Sequence, residues 1–186
     1  MNNITKIYNQ ATPSQLAEGM SWYPEAYRIC ADLAEKFNYP IKSVVYALAC
    51  LSPNNKWEQN IIDLVSLLKC SNLTAKIFNF ENGYLDSFQG LSCRTFTKNV
   101  YKTAKILVTA NTDILSGRKV RAFANNIFNP ASEMVTIDGH ALSIYLDKAL
   151  SMKEANKLMY KGYGEAEQAY REESFQLGIR PYQLQA

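Results

Sequence analysis

Apolar residues recur three and four positions apart along most of this chain, and that spacing admits little besides a packing of helices. From Ile41 the series runs Val44, Val45, Leu48, and from Lys56 it runs Ile61, Ile62, Val65, Leu68. Residues at such intervals share one face of a helix, whereas a half-buried strand alternates at every second residue. Thr12-Pro13-Ser14-Gln15 reads as a helix start. Thr12 can cap, Pro13 fits the first helical position, and Gln15 stands where a capping-box partner belongs. Further helices are expected over 24–37 (stopped by Asn38-Tyr39-Pro40), 41–51, from 56 onward, 95–109, 116–128 and 139–146, with one or two over 151–177. Residues 72–90 are mixed, with short helices. Gly178 followed by Pro181 reads as a helix terminator. The single strand-like piece, Glu133-Met134-Val135-Thr136-Ile137, is too isolated to build a sheet. The expected fold class is all-α.

No internal repeat and no linker divides the 186 residues, so one compact helical domain, 1–186, is expected. An apolar share of 47% against 20% charged residues excludes a disordered tail, a collagen-like fibre and a disulfide scaffold. Cys30, Cys50, Cys70 and Cys93 form no Cys-x-x-Cys pair, and are expected as reduced, mostly buried thiols. One histidine, His140, and no cysteine cluster leave no recognisable metal site, so neither metal nor cofactor is expected. The longest apolar stretch, Val44 to Leu51, has eight residues, against the roughly 20 that span a bilayer. The N-terminus lacks the apolar run of a signal peptide. A cytoplasmic protein with no membrane partner is expected. Nothing in the sequence speaks to oligomeric state.

The net charge of +3 neither requires nor forbids a nucleic-acid partner, because the placement of charge decides. Arg94, Lys98, Lys102 and Lys105 step along one expected helix at intervals of three or four. Arg118, Lys119 and Arg121 crowd the start of the next. Together they can form a phosphate-facing surface, or simply a solvated helix face.

The most informative stretch is Leu115-Ser116-Gly117-Arg118-Lys119, followed by Val135-Thr136-Ile137-Asp138-Gly139-His140. A lysine opens a helix, and an aspartate follows 19 residues later, after a short apolar run and before another helix. This order resembles the core of the helix-hairpin-helix DNA glycosylase superfamily, over about residues 44–178. The resemblance implies a DNA partner, in duplex form with a flipped base, and cleavage of the N-glycosidic bond of a damaged or modified base. Asp138 matches the family's catalytic aspartate. Lys119 matches the amine of its bifunctional members, which also cleave the strand as AP lyases. Asn54 or Asn55 stands where the family places a side chain that fills the space left by the flipped base. Trp57 and Tyr46 are candidates for a base pocket, His140 for a polar contact, and Lys98, Lys102, Arg118 and Arg121 for phosphates. The chain departs from the family in its hairpin, which keeps one glycine, Gly117, of the usual two. It also lacks a C-terminal cysteine cluster.

Each of these residues has a plainer reading. Asp138 can be a helix cap, Lys119 a surface cation, and the aromatics core residues. Two other functions share the fold: a phage-type enzyme that hypermodifies thymine in DNA, acting in the host cytoplasm, and a non-catalytic DNA-binding or inhibitor module.

Overall fold

The computed structural model describes residues 2–186. Among them it has ten α-helices and two short 3-10 turns, and no strand. The helices are α1 (Asn3–Gln10), α2 (Pro13–Phe37), α3 (Ile41–Leu51), α4 (Trp57–Leu68), α5 (Leu73–Glu81), α6 (Thr97–Thr109), α7 (Arg118–Phe128), α8 (Gly139–Tyr145), α9 (Met152–Leu177) and α10 (Pro181–Gln185). The chain is all-α. It forms two compact units, one from residues 1–26 and 125–186, the other from residues 27–124.

Several helix ends follow from local chemistry. At the start of α2 the Thr12 N–H donates to Gln15 Oε1 at 2.9 Å and the Gln15 N–H to Thr12 Oγ1 at 3.3 Å. A second such pair, Ser151 with Glu154, opens α9, and Gly178 at φ +69° closes it. Three expected starts differ, and the helix expected from residue 116 begins at Arg118. The expected start at residue 24 is absent, because α2 runs unbroken from Pro13 to Phe37 with Pro24 inside. Proline deprives the preceding turn of one hydrogen bond. Tyr23, Ala26, Cys30 and Ala34, all buried, continue one apolar stripe through the proline, and that burial offsets the loss. The helix expected from residue 95 begins at Thr97, which leaves Arg94 outside it. Helices α1 and α10 were not anticipated, although Ile4, Ile7 and Tyr8 carry helical spacing and Asn2 Oδ1 caps the Thr5 N–H.

In the unit of residues 27–124, α3 is the central element. Val44, Val45, Ala47, Leu48 and Ala49 have no exposed surface. Helix α3 packs on α6, which contributes Val100, Ala104, Ile106 and Leu107, and on α4, which contributes Leu64 and Leu67. Phe80 stacks on Tyr101 with ring centroids 4.7 Å apart, joining α5 to α6. Asp63 is fully buried and would be costly as a bare charge. It is caged instead: Asn55 Nδ2 donates at 2.9 Å, Gln59 Nε2 at 2.6 Å, and the Arg94 backbone N–H reaches both carboxylate oxygens at 3.1 and 3.2 Å. One carboxylate thus ties the loop before α4 to the segment before α6.

In the other unit, Ile4, Val135, Ile137, Ala141, Leu142, Tyr163, Ala166 and Tyr170 form a core. Val135, Thr136 and Ile137 run through it without helix or strand pairing. Buried backbone groups must find partners, and here side chains supply them beside one local backbone bond, from the Ile137 N–H to the Val135 carbonyl at 3.1 Å. Tyr163 Oη donates to the Val135 carbonyl at 2.8 Å and accepts from the Ile137 N–H at 3.4 Å. The Val135 N–H donates to Glu167 Oε1 at 3.4 Å, and Arg171 Nε donates to the Glu133 carbonyl at 2.8 Å. Arg171 also pairs with buried Glu167 at 2.9 Å. The strand-like composition of this piece is therefore real, and α9 stands in for the missing neighbouring strand.

Replacing Tyr163 by Phe keeps the ring and removes the hydroxyl that serves both backbone groups. We expect a loss of about 1–2 kcal/mol. Urea unfolding measures it as a lower midpoint at unchanged slope, and an unshifted midpoint would refute the bracing role.

Candidate functional site

The extended segment delivers Asp138 to the start of α8. Its backbone is still extended, at φ −106° and ψ −171°, and its Oδ1 accepts the Ala141 N–H at 2.9 Å. The other carboxylate oxygen takes no hydrogen bond from the described residues. Asp138 is half-buried, so its charge is neither sealed in the core nor fully solvated. Two phenols sense it. Burial pushes the Tyr23 hydroxyl up to about 12, against the opposing bonds with Thr136 and Asn126, and the Asp138 charge adds to the rise. Tyr170 is pushed up by burial first and by Asp138 second. Both stay neutral donors at physiological pH. Tyr170 Oη donates to the Ala141 carbonyl at 3.3 Å, so the residue that Asp138 caps is held from its other side as well.

Behind Asp138 lies a polar chain. The Tyr23 hydroxyl donates to Gln185 Oε1 at 2.9 Å and lies 3.1 Å from Thr136 Oγ1. Thr136 Oγ1 accepts from Asn126 Nδ2 at 3.1 Å, and Ser132 Oγ donates to Asn126 Oδ1 at 2.6 Å. This fixes the backbone that carries Asp138. His140, two residues on, is exposed on α8.

The basic residues singled out in the sequence belong to the unit of residues 27–124. Residues 110–117 connect α6 to α7, and the last of them, Gly117, has φ +97°, a region that L side chains rarely adopt. Two cations brace this connection. Lys102 Nζ donates to Ser116 Oγ at 2.8 Å, and Arg121 Nε donates to the Leu115 carbonyl at 2.7 Å. Arg118 is exposed, and Lys119, in the first turn of α7, is half-buried. The Lys119 amine has no hydrogen-bond or ion-pair partner among the described residues. Lys98 is exposed in the first turn of α6.

The expected four-cation face is only partly present. Arg94 precedes the helix and gives its backbone N–H to Asp63. Lys105 is paired with Glu81 at 2.8 Å. Tyr46 on α3 is half-buried, and its hydroxyl is pushed up by burial, with Arg121 opposing and Asp113 adding. Tyr46 therefore lies within electrostatic reach of Arg121 and Asp113. Trp57 is the first residue of α4 and half-buried.

The two asparagines separate cleanly. Asn55 is committed to the Asp63 cage. Asn54 is exposed at φ +59°, at the tip of the loop. The thiols are free, and burial pushes Cys30 and Cys93 up to about 12, which leaves them protonated and poorly nucleophilic. Among the described residues no group of three or more His, Cys, Asp or Glu side chains can hold a metal ion. No helix there is long and apolar enough to cross a membrane. One basic group escaped the sequence reading: Lys153, Lys157 and Lys161 on the exposed side of α9. Their regular spacing of four was the available signal, hidden by interleaved Glu154 and Met159.

These features define an all-helical protein with a capping aspartate whose second oxygen takes no bond from the described residues, and a braced α6–α7 connection carrying basic residues. Over residues 1–186 the chain matches the profile of a family of unknown function (DUF7178), and it belongs to that family. No curated protein and no solved structure matches it.

Asn55 and Asn54 are expected to differ sharply on substitution. Asn55→Ala takes a donor from a buried carboxylate and should cost about 1–3 kcal/mol. Asn54→Gly, at a position with positive φ, should leave stability within about 0.5 kcal/mol. Thermal unfolding of both variants decides the matter, and equal losses would remove Asn55 from the cage.

Proposed function

We propose that the chain is a DNA-processing enzyme of the helix-hairpin-helix glycosylase type, which releases a damaged or modified base from a flipped nucleotide. The observation that carries this reading is the division of labour within the Asp138 carboxylate. A helix cap needs one oxygen, and the bond from Oδ1 to the Ala141 N–H meets that need and locks the side chain. The second oxygen, with no hydrogen bond from the described residues, is held in place by the same cap. Departure of a base leaves positive charge on the sugar, and a carboxylate already in place stabilises that charge without reorganising.

Lys119 supplies the second function. Its amine attacks C1′, forming a C–N bond as the bond to the base breaks and the base leaves with a proton. Opening of the sugar ring then breaks the C1′–O4′ bond, the oxygen takes the amine's proton, and the resulting Schiff base permits strand cleavage by elimination. Lys98, Lys102, Arg118 and Arg121 contact phosphates, and the helix start behind Gly117 offers backbone N–H groups to one of them. Tyr46 and Trp57 are the aromatics offered to the flipped base, Asn54 is the side chain offered to the vacated stack, and His140 is a polar contact.

The test uses the full chain on duplexes that each carry one oxidised, alkylated, deaminated or hypermodified base. Base release is expected on at least one of them. Asp138→Asn keeps the cap and should lower the rate about 100-fold or more. Lys119→Gln should abolish the adduct trapped by borohydride. Absence of base release and of adduct on every duplex rejects the proposal, as does full activity in Asp138→Asn. A base altered in mass but not released would move the chain to the hypermodification chemistry.

A further inference from the structure

Helix α9 carries its charges against its own dipole. The positive end of a helix dipole lies at the N-terminus, where acidic residues are favoured and basic ones are not. In α9 the unpaired cations Lys153, Lys157 and Lys161 lie in the N-terminal half, while Glu165, Glu167, Glu172 and Glu173 lie in the C-terminal half. Glu154, the only acid among the first three turns, is occupied by Ser151 and by Lys148 at 3.2 Å. Glu165 follows Lys161 by four residues and forms no ion pair with it. Like charges four apart also repel along a helix. The lysine stripe therefore opposes helix formation twice and has no partner among the described residues.

Its geometry suits a regular polyanion. At a rise of about 1.5 Å per residue, the three amines are anchored about 6 Å apart on one exposed face, spanning about 12 Å. Duplex DNA presents one charge per about 1.7 Å of axis, so each lysine can meet its own phosphate. Tyr160 lies between Lys157 and Lys161 on the same face and is 93% exposed, a position that gains nothing from the core. A ring so placed can stack on an unpaired base. A lipid surface is a poorer match, because an interfacial helix needs an apolar face to insert. That of α9, with Tyr163, Ala166 and Tyr170, is spent on the core.

We propose that Lys153, Lys157, Lys161 and Tyr160 form a nucleic-acid contact, with the lysines on consecutive phosphates and the tyrosine on an exposed base. This rests on the DNA reading above and uses residues that belong neither to the basic group of 94–121 nor to Asp138 and its neighbours.

Binding of labelled duplex and single-stranded DNA to the full chain, followed by anisotropy over a salt series, tests it. Neutralising all three positions (Lys153→Gln, Lys157→Gln, Lys161→Gln) should reduce the duplex salt slope by about 2–3 and weaken low-salt binding at least about tenfold. The corresponding triple arginine variant should bind as the wild type does. Tyr160→Ala should weaken single-strand binding about 5-fold or more with the slope unchanged. An unchanged slope in the glutamine variant, with wild-type protein bound to DNA, overturns the stripe and leaves the enzyme proposal standing. A lowered slope without base release on any duplex supports the stripe while rejecting the enzyme. Failure of the wild type to bind any DNA overturns both. Lysine-dependent capture on phosphatidylserine vesicles, with DNA binding unaffected by the substitutions, assigns the face to a membrane and overturns a nucleic-acid partner.

Discussion

The buried extended segment at residues 135–137 is the constraint on which its unit depends. An unpaired strand inside a core leaves donors and acceptors that neither water nor a neighbouring strand can satisfy. Helix α9 resolves this with two residues on one face, Tyr163 and Glu167, four apart. The tyrosine serves a carbonyl and an N–H at once, and the glutamate serves an N–H while holding Arg171. Apolar packing alone would tolerate a slip of the segment along the helix. These bonds do not, because a shift by one residue turns the bonded backbone groups and every side chain to the opposite side. The register of the segment sets the position of Asp138, so the placement of the candidate carboxylate rests on side chains more than twenty residues further along the chain.

Asp63 applies the same logic in the other unit. A buried carboxylate contributes little net stability, but with three donors around it only one arrangement of its loops satisfies the charge. Asn55, Gln59 and Arg94 converge from two segments, and the loop between α3 and α4 is held at its base while Asn54 stays exposed at its tip. A rigid base under an exposed polar tip is the form that a side chain inserted into a base stack would need. In the proposed reading, structure falls to Asn55 and function to Asn54, its neighbour.

The legibility of the sequence divides along similar lines. Helices were readable wherever apolar periodicity and caps agreed, as at Thr12 with Gln15, at Ser151, and at Gly178. The break expected at Pro24 failed because a local rule about proline competes with burial of Tyr23 and Ala26 on either side, and burial is a tertiary fact. Arg94 illustrates another limit. Its spacing from Lys98 is helical, yet the cage around Asp63 takes its backbone N–H and holds the preceding segment extended, a demand set 31 residues away. The isolation of the strand-like piece was legible. Its neighbour was not, because pairing of a strand with tyrosine and glutamate side chains has no sequence period.

Asp138 shows why cap and catalyst are poor alternatives. A solvent-exposed aspartate on a loop samples several rotamers, and each reaction would have to select one. Capping removes that freedom and uses a single oxygen to do so. The constraint that makes Asp138 look structural also holds its second oxygen still, and a fixed charge stabilises a developing cation better than a mobile one. The neutral phenols of Tyr23 and Tyr170 lie within its field. An ionised phenol there would repel the carboxylate, whereas a neutral one leaves the full negative charge available.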